Sequence, residues 1–496
     1  MEIFHNLIFG FSVALSLQNV IYCFLGCLLG TLIGVLPGIG PAATVSMLLP
    51  ITFVLPAIPA LIMLAGIYYG AMYGGSTTSI LVNLPGETSS VITCIDGYQM
   101  ARKGRAGPAL AIAAIGSFFA GTTCTLIISL FGPPLAEMAL ELISPEYFSL
   151  MLMGLIVAAV LSPGDLGKSL AMVTLGLLLG CVGTDVNSGW SRFSFDIPEL
   201  TEGISFVVIA IGVFAVGEII SNLGDPEECG VFISKVGSLL PSKDDMKRSF
   251  GPIIRGTALG AFFGVLPGTG PSIASFSSYM IEKKMAKDPS RFGKGAIEGV
   301  AGPESANNAD AQCKFIPMLT LGIPASSTMA LMLGALMIHG IAPGPSVMTQ
   351  KPDLFWGLIA SMWLGNAMLI MLNLPLVGLW VLLLKVPYRY LFPGIMVFSS
   401  IGIYSMNNSS FDLYLTGLFG LIGFLWKKLR CSPVPLILGF VLGPMMEENL
   451  RRAMLISRGD PLVFVRRPIS LAFLLVTVLV LILTATPALR KKRGLL

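Results

Sequence analysis

The octet GVLPGIGP at residues 34–41 returns almost unchanged as GVLPGTGP at residues 264–271, and each copy interrupts a long apolar run. Both copies hold two prolines and three glycines, the residues that helices tolerate worst. In lipid, a broken helix leaves backbone N–H and C=O groups without partners, so such breaks survive only where protein or a water-filled cavity surrounds them. A chain that breaks its helices at matching points must therefore enclose those points. The bilayer is implied by a composition that is 54% hydrophobic and 12% charged, against about 25% charged in soluble domains.

A span takes roughly 20 residues, so the apolar stretches predict an all-α polytopic membrane protein with about 10 to 12 transmembrane or re-entrant helices. They include Ala109–Phe131, Phe148–Leu161, Ser169–Cys181, Ile204–Ile220, Leu354–Val386, Phe411–Trp426 and Ile469–Ala488. The first convincing span falls near Ile21–Leu36, and no stretch carries a signal-peptide cleavage pattern. The formal charge of +4 sits in loops and reads as an orientation signal, not as a nucleic-acid footprint. Eight cysteines are scattered, and the one close pair, Cys23 and Cys27, reads as packing.

The octets begin a longer correspondence. The first is followed by YYGAMYGGSTTSILVNLPGETSS (68–90) and the second by AGPESANNADAQCKFIPMLTLGIPASST (301–328). A constant offset sets Ser76, Thr77 and Thr78 opposite Ala306, Asn307 and Asn308. Nine extra residues after that point bring Pro85 opposite Pro324 and Glu87 opposite Ser326. Lys and Arg in short loops mark the cytoplasmic side, and they alternate between the halves. The stretch 50–60 after the first octet has no charge, whereas its counterpart 282–295 carries five Lys or Arg; the loop 96–107 carries three, and its counterpart 339–353 carries one. The two halves are thus expected as inverted-topology repeats with broken helices, the plan of secondary transporters. Residues 1–220 would be the first repeat and 221–252 a cytoplasmic linker. Residues 253–468 would hold the second repeat with the helices that follow it, and 469–496 a final transmembrane helix with a basic tail. VRRP (465–468) and RKKR (490–493) flank that last helix, and the reading favours a cytoplasmic RKKR.

Candidate binding residues follow from the breaks. Pro37 and Pro267 cannot donate a backbone hydrogen bond, and Gly38, Gly40, Gly268 and Gly270 permit turns that other residues resist. The octets should stop a helix, run extended and restart at Pro41 and Pro271, where Pro suits the first turn. A helix start aimed into a cavity attracts anions, while the carbonyls of the same break suit a cation such as Na+. The plain alternative is a kink or a tight helix crossing that needs small residues. Ser76, Thr77, Thr78, Asn307, Asn308, Ser326 and Ser327 are neutral donors and acceptors that either bind substrate carboxylates or cap and cross-link helices. Glu87, Glu304 and Asp310 are intramembrane acids and hence candidates for a coupling ion; equally, Asp310 can pair with Lys314, and Glu87 can cap a half-helix at the membrane edge.

Enzyme signatures are weak. SPGDLGKS (162–169) lacks the first Gly of a phosphate-binding loop and reads as a membrane-edge turn, and two histidines, His5 and His339, give no base or zinc site. The chain reads as neither an enzyme nor a cofactor protein. An intramembrane enzyme acting on a lipid-linked substrate would need clustered acids or His at one membrane face.

The stretches GTLIGVLPGIGPAATVSMLLP, YYGAMYGGSTTSILVNLPGE, DGYQMARKGRAGPAL, FFGVLPGTGPS, PESANNADA, LTLGIPASSTMALMLGAL and LILGFVLGPMMEENLRRA resemble the large membrane subunit of the tripartite tricarboxylate transporters, the TctA family. The resemblance implies an uptake system of the bacterial inner membrane. In it a periplasmic solute-binding protein delivers an organic carboxylate such as citrate, a small four-helix membrane subunit accompanies this one, and a Na+ or H+ gradient drives import. A transporter acting alone, such as a cation antiporter, is the alternative. PESANNAD ends in Asp310 where the family pattern has a small residue, and Cys313 and Lys314 also depart from it.

Overall fold

The computed structural model describes residues 2–36, 39–162, 165–185, 188–224, 238–266, 270–383 and 388–485. Among them the regular structure is helical apart from one short antiparallel pair, Gly183–Thr184 with Ser191–Arg192. Helix α1 (Glu2–Ala14) precedes α2 (Leu17–Gly34), and the first octet ends α2. Gly40 is extended (φ −72°, ψ 169°), and helix resumes at α3 (Pro41–Leu48). α4 (Ala57–Val82) is buried along almost its whole length and stops at Asn83 in the left-handed region (φ 59°). A second break, 83–90, leads into short helical turns that end at Arg102. Then come α5 (Ala106–Leu140), α6 (Ser144–Leu161), α7 (Leu166–Gly180) and α8, whose parts Phe206–Ala210 and Gly217–Gly224 are joined by a wide π turn at Ile211–Val216.

The second half repeats the pattern. α9 (Lys243–Val265) gives way to extended Leu266 and Gly270 (φ −85°, ψ 155°), and α10 (Pro271–Met285) starts at the proline. α11 (Glu298–Cys313) and α12 (Phe315–Leu321) end at left-handed Gly322 (φ 69°), and α13 (Ser327–Ile338) follows the break. α14 (Pro352–Asn373), α15 (Ser410–Lys428), α16 (Val434–Ile456) and α17 (Pro468–Ala485) complete the bundle. Both octets therefore stop, extend and restart helix as their Pro and Gly content predicts. Pro37, Gly38, Pro267 and Gly268 lie outside the described residues.

Among the described residues, five helices are long and apolar enough to cross a membrane, namely α2, α4, α5, α6 and α14. Much of the remaining apolar chain is in shorter pieces, including 41–54, 166–180, 206–221 and 327–338, because Gly and Pro divide it. This is an all-α polytopic membrane protein.

Glycine ridges hold each half together. Gly26, Gly30 and Gly34 of α2 press on Met63, Ile67 and Ala71 of α4 so closely that an added Cβ would come within 2.5 Å of backbone. Gly256, Gly260 and Gly264 of α9 press in the same way on Gly302, Ala306 and Asp310 of α11, where an added Cβ would come within 2.7 Å of backbone. Lipid supplies little hydrophobic drive between helices, so close backbone packing at small residues is what joins them.

These contacts correct the alignment of the halves. Met63 answers to Gly302 and Ile67 to Ala306, the offset that also relates left-handed Asn83 to Gly322. The nine extra residues therefore lie before α11, in the basic loop 286–297, and not after the polar clusters. Ser76–Thr78 and Ala306–Asn308 are not equivalent positions.

The basic loop after the first polar cluster meets the basic loop and the helix start of the second half. Lys103 Nζ donates to the Lys294 carbonyl (2.5 Å), and Arg105 pairs with Asp245 (2.5 Å), where the Ser242 hydroxyl caps α9. Lys168 donates to the Leu429 carbonyl (2.7 Å) beside the end of α15. At the other end of α7 and α16, Arg192 pairs with Glu447 (2.8 Å) and Arg451 with Asp185 (3.1 Å). Arg467, at the start of α17, pairs with Glu146 at the start of α6. Of the expected linker 221–252, residues 225–237 lie outside the described residues, as does RKKR; residue 243 already belongs to α9.

Candidate functional site

The four breaks meet at one cavity of about 570 Å³. Its floor is made by Gly40–Ala43, Pro85–Thr88, Gly270–Ile273 and Ala325–Thr328, with Tyr68 and Met72 of α4 beside them. The rest of its lining includes Ala158 and Leu161 of α6, Phe214 and Glu218 of α8, Lys427 of α15, and Ser432 and Val434 at the start of α16.

The chemistry of the floor follows from how the helices start. Neither α3 nor α10 has a side-chain cap, since each is preceded by glycine and begins with proline. The first-turn N–H groups of Ala42, Ala43 and Ser272 belong to residues that line the cavity, where the positive end of the helix dipole favours an anion, while Ile273 N–H donates to the Gly270 carbonyl (3.0 Å). α13 differs, because the Ser326 hydroxyl accepts from Met329 N–H (3.3 Å).

The glycines of the octet divide into two roles. Gly34 and Gly264 are packing residues of the close crossings. Gly40 would meet nothing within 4 Å if it carried a Cβ, and Gly270 only its own Ser272 N–H at 4.0 Å. Packing does not account for glycine at positions 40 and 270; these residues leave open space at the helix starts.

The structure brings Gly40, Pro41, Gly270, Pro271, Ser326, Ser327 and Glu87 to the cavity. Gly38 and Gly268 lie outside the described residues, and the remaining candidates are not on its lining. Thr78 Oγ1 donates to the Val35 carbonyl (2.6 Å), one of the acceptors freed where α2 ends, and Thr77 bonds within its own helix to the Tyr73 carbonyl (3.4 Å). Ser76 Oγ donates to Glu304 (2.6 Å), and Thr93 donates to its other carboxylate oxygen. Asn308 Nδ2 donates to Ser117 Oγ (2.7 Å) and to the Glu304 carbonyl (3.0 Å). Asn307 Nδ2 donates to Glu87 Oε1 (3.0 Å), which also accepts from Ser89 Oγ (2.6 Å).

The three acids thus differ in surroundings. Glu87 is on the cavity wall and bonded by neutral donors. Glu304 borders only a void of about 20 Å³ with Tyr73, Ser117 and Asn373, room for about one water. Asp310 pairs with Lys314 one turn on, both side chains fully buried, while Asp310 Oδ1 has no hydrogen-bond partner. No group of three His, Cys, Asp or Glu suited to a metal occurs among the described residues.

Several contributors were not evident from the sequence. Thr93 and Ser117 carried no signal beyond being polar in apolar runs. Glu218 and Lys427 form an ion pair (2.8 Å) on the cavity wall, and their only trace was a charge at the end of each of two apolar stretches. At SPGDLGKS, Asp165 accepts from Gly167 and Lys168 N–H groups as the cap of α7.

An uncharacterised 52.8 kDa protein of the TAR-I ttuC' 3' region of Agrobacterium vitis is 57% identical over 493 residues, covering 99% of this chain and 98% of its own length. An uncharacterised protein of the TAR-II ttuC' 3' region of the same organism is 58% identical over 234 residues, 47% of this chain and 97% of its own. No solved structure matches the chain. The model of the tripartite tricarboxylate transporter TctA family matches residues 20–438, and with most of its length covered the chain belongs to that family of membrane transport components.

Proposed function

We propose that the chain is the large membrane subunit of a secondary transporter that imports an organic carboxylate across a bacterial inner membrane, driven by a Na+ or H+ gradient. The observation that carries this reading is the convergence of two uncapped helix starts, Pro41 and Pro271, on one cavity with open space at Gly40 and Gly270. Two positive helix ends suit an anion, and the neutral Ser326 and Ser327 suit its remaining oxygens. Glu87 is the coupling site: it lies on the same cavity, and neutral donors alone do not offset a buried carboxylate, which needs a proton or a cation from solution.

The matched glycine ridges and left-handed caps support two repeats, and the clustering of loops 103–105 and 282–295 supports opposite insertion with the basic face in the cytoplasm. On this reading a periplasmic solute-binding protein supplies the carboxylate from the far face, and a small four-helix subunit stands beside the bundle. The chain performs transport and no catalysis. Alternating access moves the floor of breaks against the wall of α6, α8, α15 and α16.

Uptake of labelled citrate and succinate into proteoliposomes, with and without binding protein and small subunit, under imposed Na+ or H+ gradients, tests the reading. Gradient-dependent uptake that requires the binding protein is the expected result. Uptake without it makes the chain a stand-alone transporter, cation exchange without carboxylate makes it an antiporter, and neither activity under any gradient overturns the transport assignment.

A further inference from the structure

Three charged residues line the cavity among the described residues: Glu87, Glu218 and Lys427. Lys427 is the one cation there, and it lines the same cavity as the helix starts. We infer that Lys427 is a specificity-determining residue that takes a second carboxylate of the substrate, and that Glu218 is its stand-in partner when the cavity is empty of anion. The inference rests on the transport reading above and assigns a residue to the choice between substrates with one carboxylate and those with more.

The argument is one of charge and exposure. Two helix starts offer partial positive charge, enough to favour one carboxylate at the floor. A second carboxylate beside α8 and α15 would meet Glu218, with Lys427 the one cation of the described lining to receive it. Lys427 Nζ stands 2.8 Å from Glu218 Oε1, with the lysine side chain 47% and the glutamate 28% exposed. An ion pair so wet is weak and screened by salt, so exchanging one carboxylate partner for another costs little. Glu218, left behind, remains in contact with water. The fold also provides the placement: α8 runs through its wide π turn at Ile211–Val216 just before Glu218, and Phe214 of that turn lines the cavity too. Such turns recur at functional sites because they re-aim the side chains around them. Lys428, the next residue, lies outside the cavity lining and serves as a control of equal charge.

The test is binding of succinate, malate and citrate, with butyrate as the single-carboxylate comparison, to the purified full chain in lipid nanodiscs, followed by uptake in the reconstituted system. Lys427→Met should weaken di- and tricarboxylate binding about tenfold, the loss of one charge-assisted contact in a partly wet site. Glu218→Gln, which removes the competing anion, should tighten the same ligands severalfold. Lys427→Arg should retain at least half the affinity, Lys428→Met should leave it unchanged, and butyrate should move less than twofold in every variant. Opposite signs for Lys427→Met and Glu218→Gln are what a merely structural ion pair would not give. Weakening in both variants, equal weakening toward butyrate and succinate, or no change in Lys427→Met overturns the inference while leaving transport standing. Failure of the wild-type chain to bind or carry any carboxylate overturns the transport reading and this inference with it.

Discussion

Asn307, from the second half of the chain, holds Glu87 of the first: its Nδ2 donates to the carboxylate at 3.0 Å on the wall of the cavity. Replacing the amide by Ala leaves a buried carboxylate with one hydroxyl donor, a loss of about 1–3 kcal/mol for the bond. Uptake by Asn307→Ala should fall at least tenfold while the protein still inserts, and Asn307→Asp, which sets two acids together, should be worse. Initial uptake rates against the amount of folded protein in the vesicles decide this.

Glu87→Gln keeps the shape of the side chain and removes its charge. Accumulation driven by a Na+ or H+ gradient should be lost, whereas exchange of labelled for unlabelled substrate at equal concentrations should persist. Exchange measured beside net uptake in the same vesicles is the check; gradient-driven accumulation at the wild-type level would remove Glu87 from coupling.

The two kinds of glycine should separate cleanly. Gly30→Leu or Gly260→Leu would drive a side chain into the carbonyl of Ile67 or Ala306, overpacking that costs about 1–3 kcal/mol or more, and should cut the yield of folded protein and its melting temperature. Gly40→Leu and Gly270→Leu meet no packed neighbour, so they should fold normally and lose carboxylate binding because the new side chain fills the helix starts. Thermal unfolding and binding on the same preparations separate the outcomes, and normal binding in both of the latter variants would reduce the octets to kinks.

Asp310 and Lys314 form a fully buried pair away from the cavity lining. Removing one partner strands a charge, at about 3–5 kcal/mol, whereas replacing both with apolar groups of similar volume is often close to neutral. Asp310→Leu and Lys314→Met should each destabilise strongly, and the double variant should recover most of the melting temperature and the uptake. A double variant that is stable but fails to transport would give the pair a functional role.

The helix stops at both octets were legible because they rest on local covalent chemistry: Pro37 and Pro267 have no N–H to give, and Pro41 and Pro271 suit a first turn. The pairing of the halves was legible only in outline. Gly26, Gly30 and Gly34 stand in the sequence at helical spacing, yet nothing in it says that Met63 and Ile67 face them, so the nine-residue shift fell on the wrong side of the polar clusters. Ser76, Thr78, Asn307 and Asn308 were visible as polar residues in a greasy chain, but wall and support share that appearance. Glu218 and Lys427 lie 209 residues apart, and only the fold brings them into contact.

The bond from Thr78 to the Val35 carbonyl has a mechanical consequence. It fastens the tip of the first octet to α4, the helix that carries the second break, and the glycine ridge fastens the rest of α2 to the same helix. The end of α2 and the start of the second break are thus held by one helix, α4. On the transport reading, a stroke that moves α4 carries the end of α2 with it.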